Sequence, residues 1–135
     1  MRAPAWIVPA LVVVAAAAGV GGARLFAAPS VVRDFGAAAP EGAVRRAVFV
    51  VDGVRCVDTA QRAADQLAGT PGVVRFAAWA SRAKVEITFD PAVTDASALR
   101  EAIEGPVHDA TTGEYLFGVY SVREVDGVKV AESSR

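Results

Sequence analysis

An α+β fold is predicted, with two helices on one face of an antiparallel sheet, and three observations predict it. Residues 83–89 alternate: Val85, Ile87 and Phe89 are interleaved with Lys84, Glu86 and Thr88, the period of a strand buried on one face and wet on the other. Two other segments carry a helical period. Ala60, Ala64 and Leu67 share one face, and Leu99, Ala102 and Ile103 form a second apolar stripe. Turn residues separate these segments at short intervals, giving the order strand, helix, strand, strand, helix, strand.

Each element can be justified in turn. Residues 47–51 are a short continuous apolar run, as expected of a strand buried on both faces. Gly53 closes it with a turn. The first helix is expected over residues 58–68, with Asp58 or Thr59 as N-cap and Gly69 as its stop. Thr70, Pro71 and Gly72 make the next turn. In the strand over residues 73–80, Val74, Phe76 and Ala78 fall on one face. Val73, Arg75 and Ala77 fall on the other, which Trp79 joins near the strand end. Ser81 and Arg82 turn into the alternating strand, and Asp90-Pro91 stops it. Thr94 or Asp95 caps the second helix, which Gly105-Pro106 ends. Residues 114–125 are expected as one long strand whose aromatics, Tyr115, Phe117 and Tyr120, divide between core and sheet surface. Asp126-Gly127 is a two-residue hairpin signal, and residues 128–130 return as a short extra strand. This β-α-β-β-α-β order is the ferredoxin-like arrangement.

Around that domain, residues 44–130, the chain divides simply. Residues 3–23 carry no ionisable side chain, close to the roughly 20 residues a helix needs to cross a bilayer. As a cleaved signal, residues 1–26 would use Arg2 as charged start, residues 6–18 as apolar core and Gly21-Gly22-Ala23 as cleavage site. As an uncleaved signal anchor, the same segment would stay as one spanning helix. Either way the domain lies outside the cytoplasm, in the periplasm or an equivalent space, possession of Arg24, Arg33, Arg45 and Arg46 after the segment notwithstanding. Residues 27–43, with recurrent Pro and Gly and no sustained apolar period, read as a linker, and residues 131–135 as a tail.

Composition excludes several classes. The net charge of −1, with no basic run beyond Arg45-Arg46, gives no nucleic-acid-binding face. A single cysteine excludes an internal disulfide and any paired-cysteine zinc site, and a single histidine excludes a multi-histidine centre. No catalytic set can be assembled, since a Cys56–His108 dyad would need an orienting group and a pocket that no motif supplies. The protein is expected not to be an enzyme.

Cys56 itself sits where an apolar run ends in a Gly turn and a helical pattern begins. Unpaired backbone N–H groups and the positive end of the helix dipole favour thiolate there, the form that binds metal. The stretch from Ala47 to His108 resembles the heavy-metal-associated domain of copper chaperones, metal-pumping ATPases and periplasmic mercury-binding proteins. That family carries Gly-Met-x-Cys-x-x-Cys between its first strand and first helix. Here the segment reads Gly53-Val54-Arg55-Cys56-Val57-Asp58-Thr59, so Val54 replaces Met and Thr59 replaces the second Cys. Pro71-Gly72-Val73, residues 85–91 and residues 99–104 are similar to the family's later landmarks, in order. The resemblance implies a soft cation, Cu(I) foremost or Hg(II), held through Cys56 and carried, delivered or sensed.

A threonine hydroxyl is a poor ligand for such ions, so a second ligand must come from elsewhere. His108, in the loop leading to the last strand, is one source: the resemblance implies that this loop lies beside the metal-binding loop. A second copy of the chain, bridged through Cys56, or a metal-transporter partner is another. The alternative is a metal-free ferredoxin-like interaction module at the cell envelope. A third reading is a thiol-redox protein working through an intermolecular disulfide.

Overall fold

The computed structural model describes residues 28–36 and 43–131. The strands are β1 (Val31–Asp34), β2 (Arg45–Asp52), β3 (Val73–Trp79), β4 (Lys84–Phe89), β5 (Val107–His108), β6 (Tyr115–Leu116), β7 (Ser121–Val125) and β8 (Val128–Lys129). The helices are α1 (Val57–Leu67) and α2 (Ala96–Glu104), and a 3-10 turn spans Ala80–Arg82. Six strands form one antiparallel sheet in the order β1-β3-β4-β2-β7-β8, and β5 and β6 pair separately. The β2-α1-β3-β4-α2-β7 core is the expected ferredoxin-like α+β fold, widened by one strand at each edge.

One core joins sheet and helices. Phe49, Val51, Phe76, Ala78, Val85, Ile87 and Phe89 from the strands meet Ala60, Ala63, Ala64, Leu67, Leu99 and Ile103 from the helices. Each large side chain buried there contributes about 1.5–3 kcal/mol. In β4 buried and half-buried residues alternate along the whole strand, as its sequence predicts. β2 departs from expectation: Ala47, Phe49 and Val51 are buried, but Val48 and Val50 are only half-buried, because the helices cover one face of the sheet.

Four further expectations need correction. A bulge at Val74 shifts the β3 register, so Val73, opposite Phe89, joins Phe76 and Ala78 on the core face in place of Val74. Gly69 does not take a left-handed stop; α1 ends in a tightened turn in which the Ala68 N–H donates to the Asp65 carbonyl. Part of the stretch read as a linker belongs to the sheet: β1 pairs with β3, Arg33 forms an ion pair with Asp65 of α1, and Phe35 packs against the core. Residues 114–125 are not one strand. Gly118 has φ +69°, and the chain breaks there between β6 and β7. The hairpin after β7 is as expected, with Asp126 and Gly127 both at positive φ and Val125 opposite Val128.

Residues 3–23, with the export or membrane reading placed on them, lie outside the described residues, as do residues 132–135 of the tail. Among the described residues no helix is long and apolar enough to cross a membrane.

Candidate functional site

The junction of β2 and α1 is built to present its loop outward. Asp52 at the strand end is clasped by Arg123 of β7, at 3.0 Å from Nε and 2.8 Å from Nη2. Gly53 follows at φ +102°, where a Cβ would lie 2.3 Å from the Val119 carbonyl oxygen and 2.9 Å from Tyr120 Cδ1. Only glycine fits that conformation and that approach. Val54 is 1 % exposed and plugs the loop into the core. Arg55, Cys56 and Val57 are exposed.

The helix begins one residue earlier than the sequence predicts. Cys56, not Asp58 or Thr59, is the N-cap, and Thr59 is the third helical residue of a capping box. The Thr59 hydroxyl accepts from the Arg55 N–H at 2.8 Å and from the Cys56 N–H at 3.0 Å, and donates to the Cys56 carbonyl at 3.0 Å. Two accepted bonds and one donated bond fill the capacity of a hydroxyl. Thr59 therefore has no lone pair left for a metal ion, and its role in the loop is to hold the cap.

The Cys56 sulfur lies 3.5 Å from the Thr59 hydroxyl oxygen and is open to solvent. The Thr59 hydroxyl, then the Thr59 backbone N–H, hold the thiol below its ordinary range; desolvation and the Asp58 charge oppose them, and a further bond from the Asp58 N–H helps. The single hydroxyl proton has two claimants, the Cys56 carbonyl and the sulfur, and turning it to the sulfur stabilises a thiolate. The loop thus offers one accessible, ionisation-prone sulfur ligand.

His108 lies in β5, opposite Tyr115, with the two rings edge to face and centroids 5.2 Å apart. Together with Val107, Asp109 and Thr111 it borders a shallow groove of about 350 Å³ against Arg62, Asp65 and Gln66 of α1. Those helix positions begin about 9 Å along the axis from Cys56. Gln66 fixes the start of this excursion by donating to the carbonyls of Gly105 and Pro106 at 3.1 and 3.2 Å. Asp109 does not orient the imidazole. Its carboxylate accepts the Thr111 and Thr112 N–H groups, and the Thr111 bond above all holds it below the usual carboxylate range. The short loop expected before the last strand is instead a hairpin of its own.

The residue that does meet the thiol loop is Tyr120. It is 2 % exposed, packs against Gly53, and donates its hydroxyl to the Thr59 carbonyl at 2.7 Å. Burial pushes the phenol up, and the nearby Cys56 charge adds to that. Sequence pattern ranked it with the other aromatics of the segment; Gly118, two residues earlier, was the signal that the strand breaks there. Among the described residues no three His, Cys, Asp or Glu side chains come together to hold a metal. Comparison with protein-family models, with curated proteins and with solved structures gave no match.

Proposed function

We propose that this is an exported or membrane-anchored metal-binding protein of the cell envelope, which takes a soft cation such as Cu(I) or Hg(II) on Cys56 and shares it with a thiol from outside the chain. One observation carries the reading: an exposed sulfur at the N-cap of α1, with hydroxyl and backbone donors that favour its charged form. The resemblance of the Gly53–Thr59 segment to heavy-metal-associated domains supports the choice of cation. The saturated Thr59 hydroxyl supports an external second ligand, from a second copy or from a metal-transporter partner, over an internal one. Such a protein carries or senses metal and transforms no substrate. His108 is the internal candidate for that ligand, and its place in β5 beside Arg62 makes it the weaker one.

The test is an anaerobic Cu(I) titration of the full chain in detergent against a competing chelator, beside Cys56→Ser and His108→Ala. One ion per two chains, lost in Cys56→Ser and kept in His108→Ala, is expected. Binding indifferent to Cys56→Ser overturns the reading. Truncation at residue 44 is unsuitable because it deletes β1.

A metal-free interaction module is the second reading. Thr59 favours it, since its three hydrogen bonds hold the loop in place with no ion present. In that case Cu(I) binds no better than to a free thiol.

A further inference from the structure

We propose that the end of the domain bearing Cys56 rests on an anionic lipid surface, so that the thiol works at the membrane. The inference rests on reading residues 3–23 as a retained anchor, and adds the direction in which the domain faces.

The chain enters the sheet at one particular end. Val31 pairs with Ala78, the Ser30 N–H donates to the Ala78 carbonyl at 2.7 Å, and the Ala80 N–H donates to Ser30 Oγ at 3.3 Å. There β3 turns into β4. The same end holds the close of β2, because Val50 pairs with Lys84 and the Val51 N–H donates to the Ala83 carbonyl at 2.7 Å. It also holds the start of β7, since Asp52 pairs with Ser121. Topology therefore puts chain entry and thiol loop on one side of the molecule. Val31 is eight residues beyond Ala23. Fully extended, that tether spans at most about 28 Å, less than the width of roughly 34 Å for a 100-residue domain.

The chemistry of this end suits lipid headgroups. Arg55 is exposed, the half-buried Lys84 holds its Nζ 5.0 Å over the half-buried Trp79 ring, and Phe117 is 70 % exposed. Phe117 is two residues from Val119, whose carbonyl lies against Gly53. Exposed cations with aromatic side chains are the composition that seats a surface on an anionic bilayer. Of the acids at this end, Asp52 is paired with Arg123, Asp58 stands in the first turn of α1, and Glu124 lies opposite Val50, as Lys84 does.

Because Cys56 is the only cysteine, it takes a nitroxide label without further engineering. The full chain is placed in phosphatidylcholine discs with and without phosphatidylglycerol, and collision with a water-soluble nickel chelate is measured. A label at Ala92→Cys in a Cys56→Ser background marks the far end of β4. The label at Cys56 is expected to be shielded several-fold relative to that at position 92, only with phosphatidylglycerol present. Raised salt and Arg55→Gln are expected to relax the shielding, by about fivefold for the arginine. Equal accessibility in a chain that co-floats with vesicles overturns the orientation and leaves the anchor reading standing. A chain that fails to co-float overturns both. Shielding seen in native membranes but not in pure-lipid discs overturns the lipid assignment in favour of a membrane-embedded protein.

Discussion

The two helices of the domain start from nearly the same backbone conformation and with different chemistry. Cys56 caps α1 at φ −148°, ψ 176°, and Asp95 caps α2 at φ −140°, ψ 174°. The Asp95 carboxylate accepts the Ala98 N–H at 2.8 Å, the bond an N-cap is suited to make. At α1 a thiol stands in that place, and Thr59 completes the cap from inside the helix. A carboxylate or hydroxyl would cap α1 better than sulfur does. The comparison teaches that α2 is finished for stability, whereas the start of α1 trades a good cap for an exposed, ionisable atom.

The comparison breaks most visibly at Gly53. Gly53→Ala drives a Cβ into the Val119 carbonyl at positive φ and is expected to destabilise by about 2–4 kcal/mol. Denaturant melts check this, and a loss below 1 kcal/mol would show that the loop can shift away from Val119. Next in size is Asp95→Ala, expected to remove about 1 kcal/mol by the loss of the α2 cap. Tyr120→Phe removes the bond to the Thr59 carbonyl and is expected to lower stability by about 0.5–1 kcal/mol.

Cys56→Asp sharpens the contrast by giving α1 the cap that α2 has. Tm is expected to rise by about 2–5 °C while Cu(I) binding is lost. A fall in Tm would mean that the sulfur is itself a structural group. The smallest effect is one of pH. Alkylation of Cys56 should reach half its limiting rate below the pH of an ordinary thiol, and Thr59→Val should move that midpoint up. Because the folded thiol is depressed, its ionised form stabilises the fold above the unfolded thiol's range and that contribution disappears as pH falls through the folded value. Stability relative to Cys56→Ser should therefore grow as pH rises through the thiol range.

Much of this architecture can be read in the chain. β4 is legible because its buried and wet faces alternate without interruption, and α2 because Asp95, Leu99 and Ile103 mark its cap and its stripe. The thiol's position is legible too, since an apolar run, a glycine and a helical period bracket Cys56. β1 is not legible: at Val31–Asp34 it is too short to show a period, and only pairing with β3 makes it a strand. The bulge at Val74 leaves no mark in composition, yet it exchanges which valine is buried. The surroundings of His108 are not legible either: the segment reads as a plain loop, and only the pairing of β5 with β6 sets the imidazole against Tyr115.

By itself the sequence determined the order of the core elements, the single sulfur and the turn that brings it to the mouth of a helix. These depend on neighbours two to four residues apart, and such neighbours are fixed by local periodicity and turn chemistry. Tertiary structure alone decided that Tyr120 stands over the loop, that Thr59 is saturated, and that the chain enters at the same end of the sheet as the thiol. Those are relations between residues as distant as Gly53 and Val119 or Ser30 and Ala78. Only the packing of the whole sheet brings such pairs together.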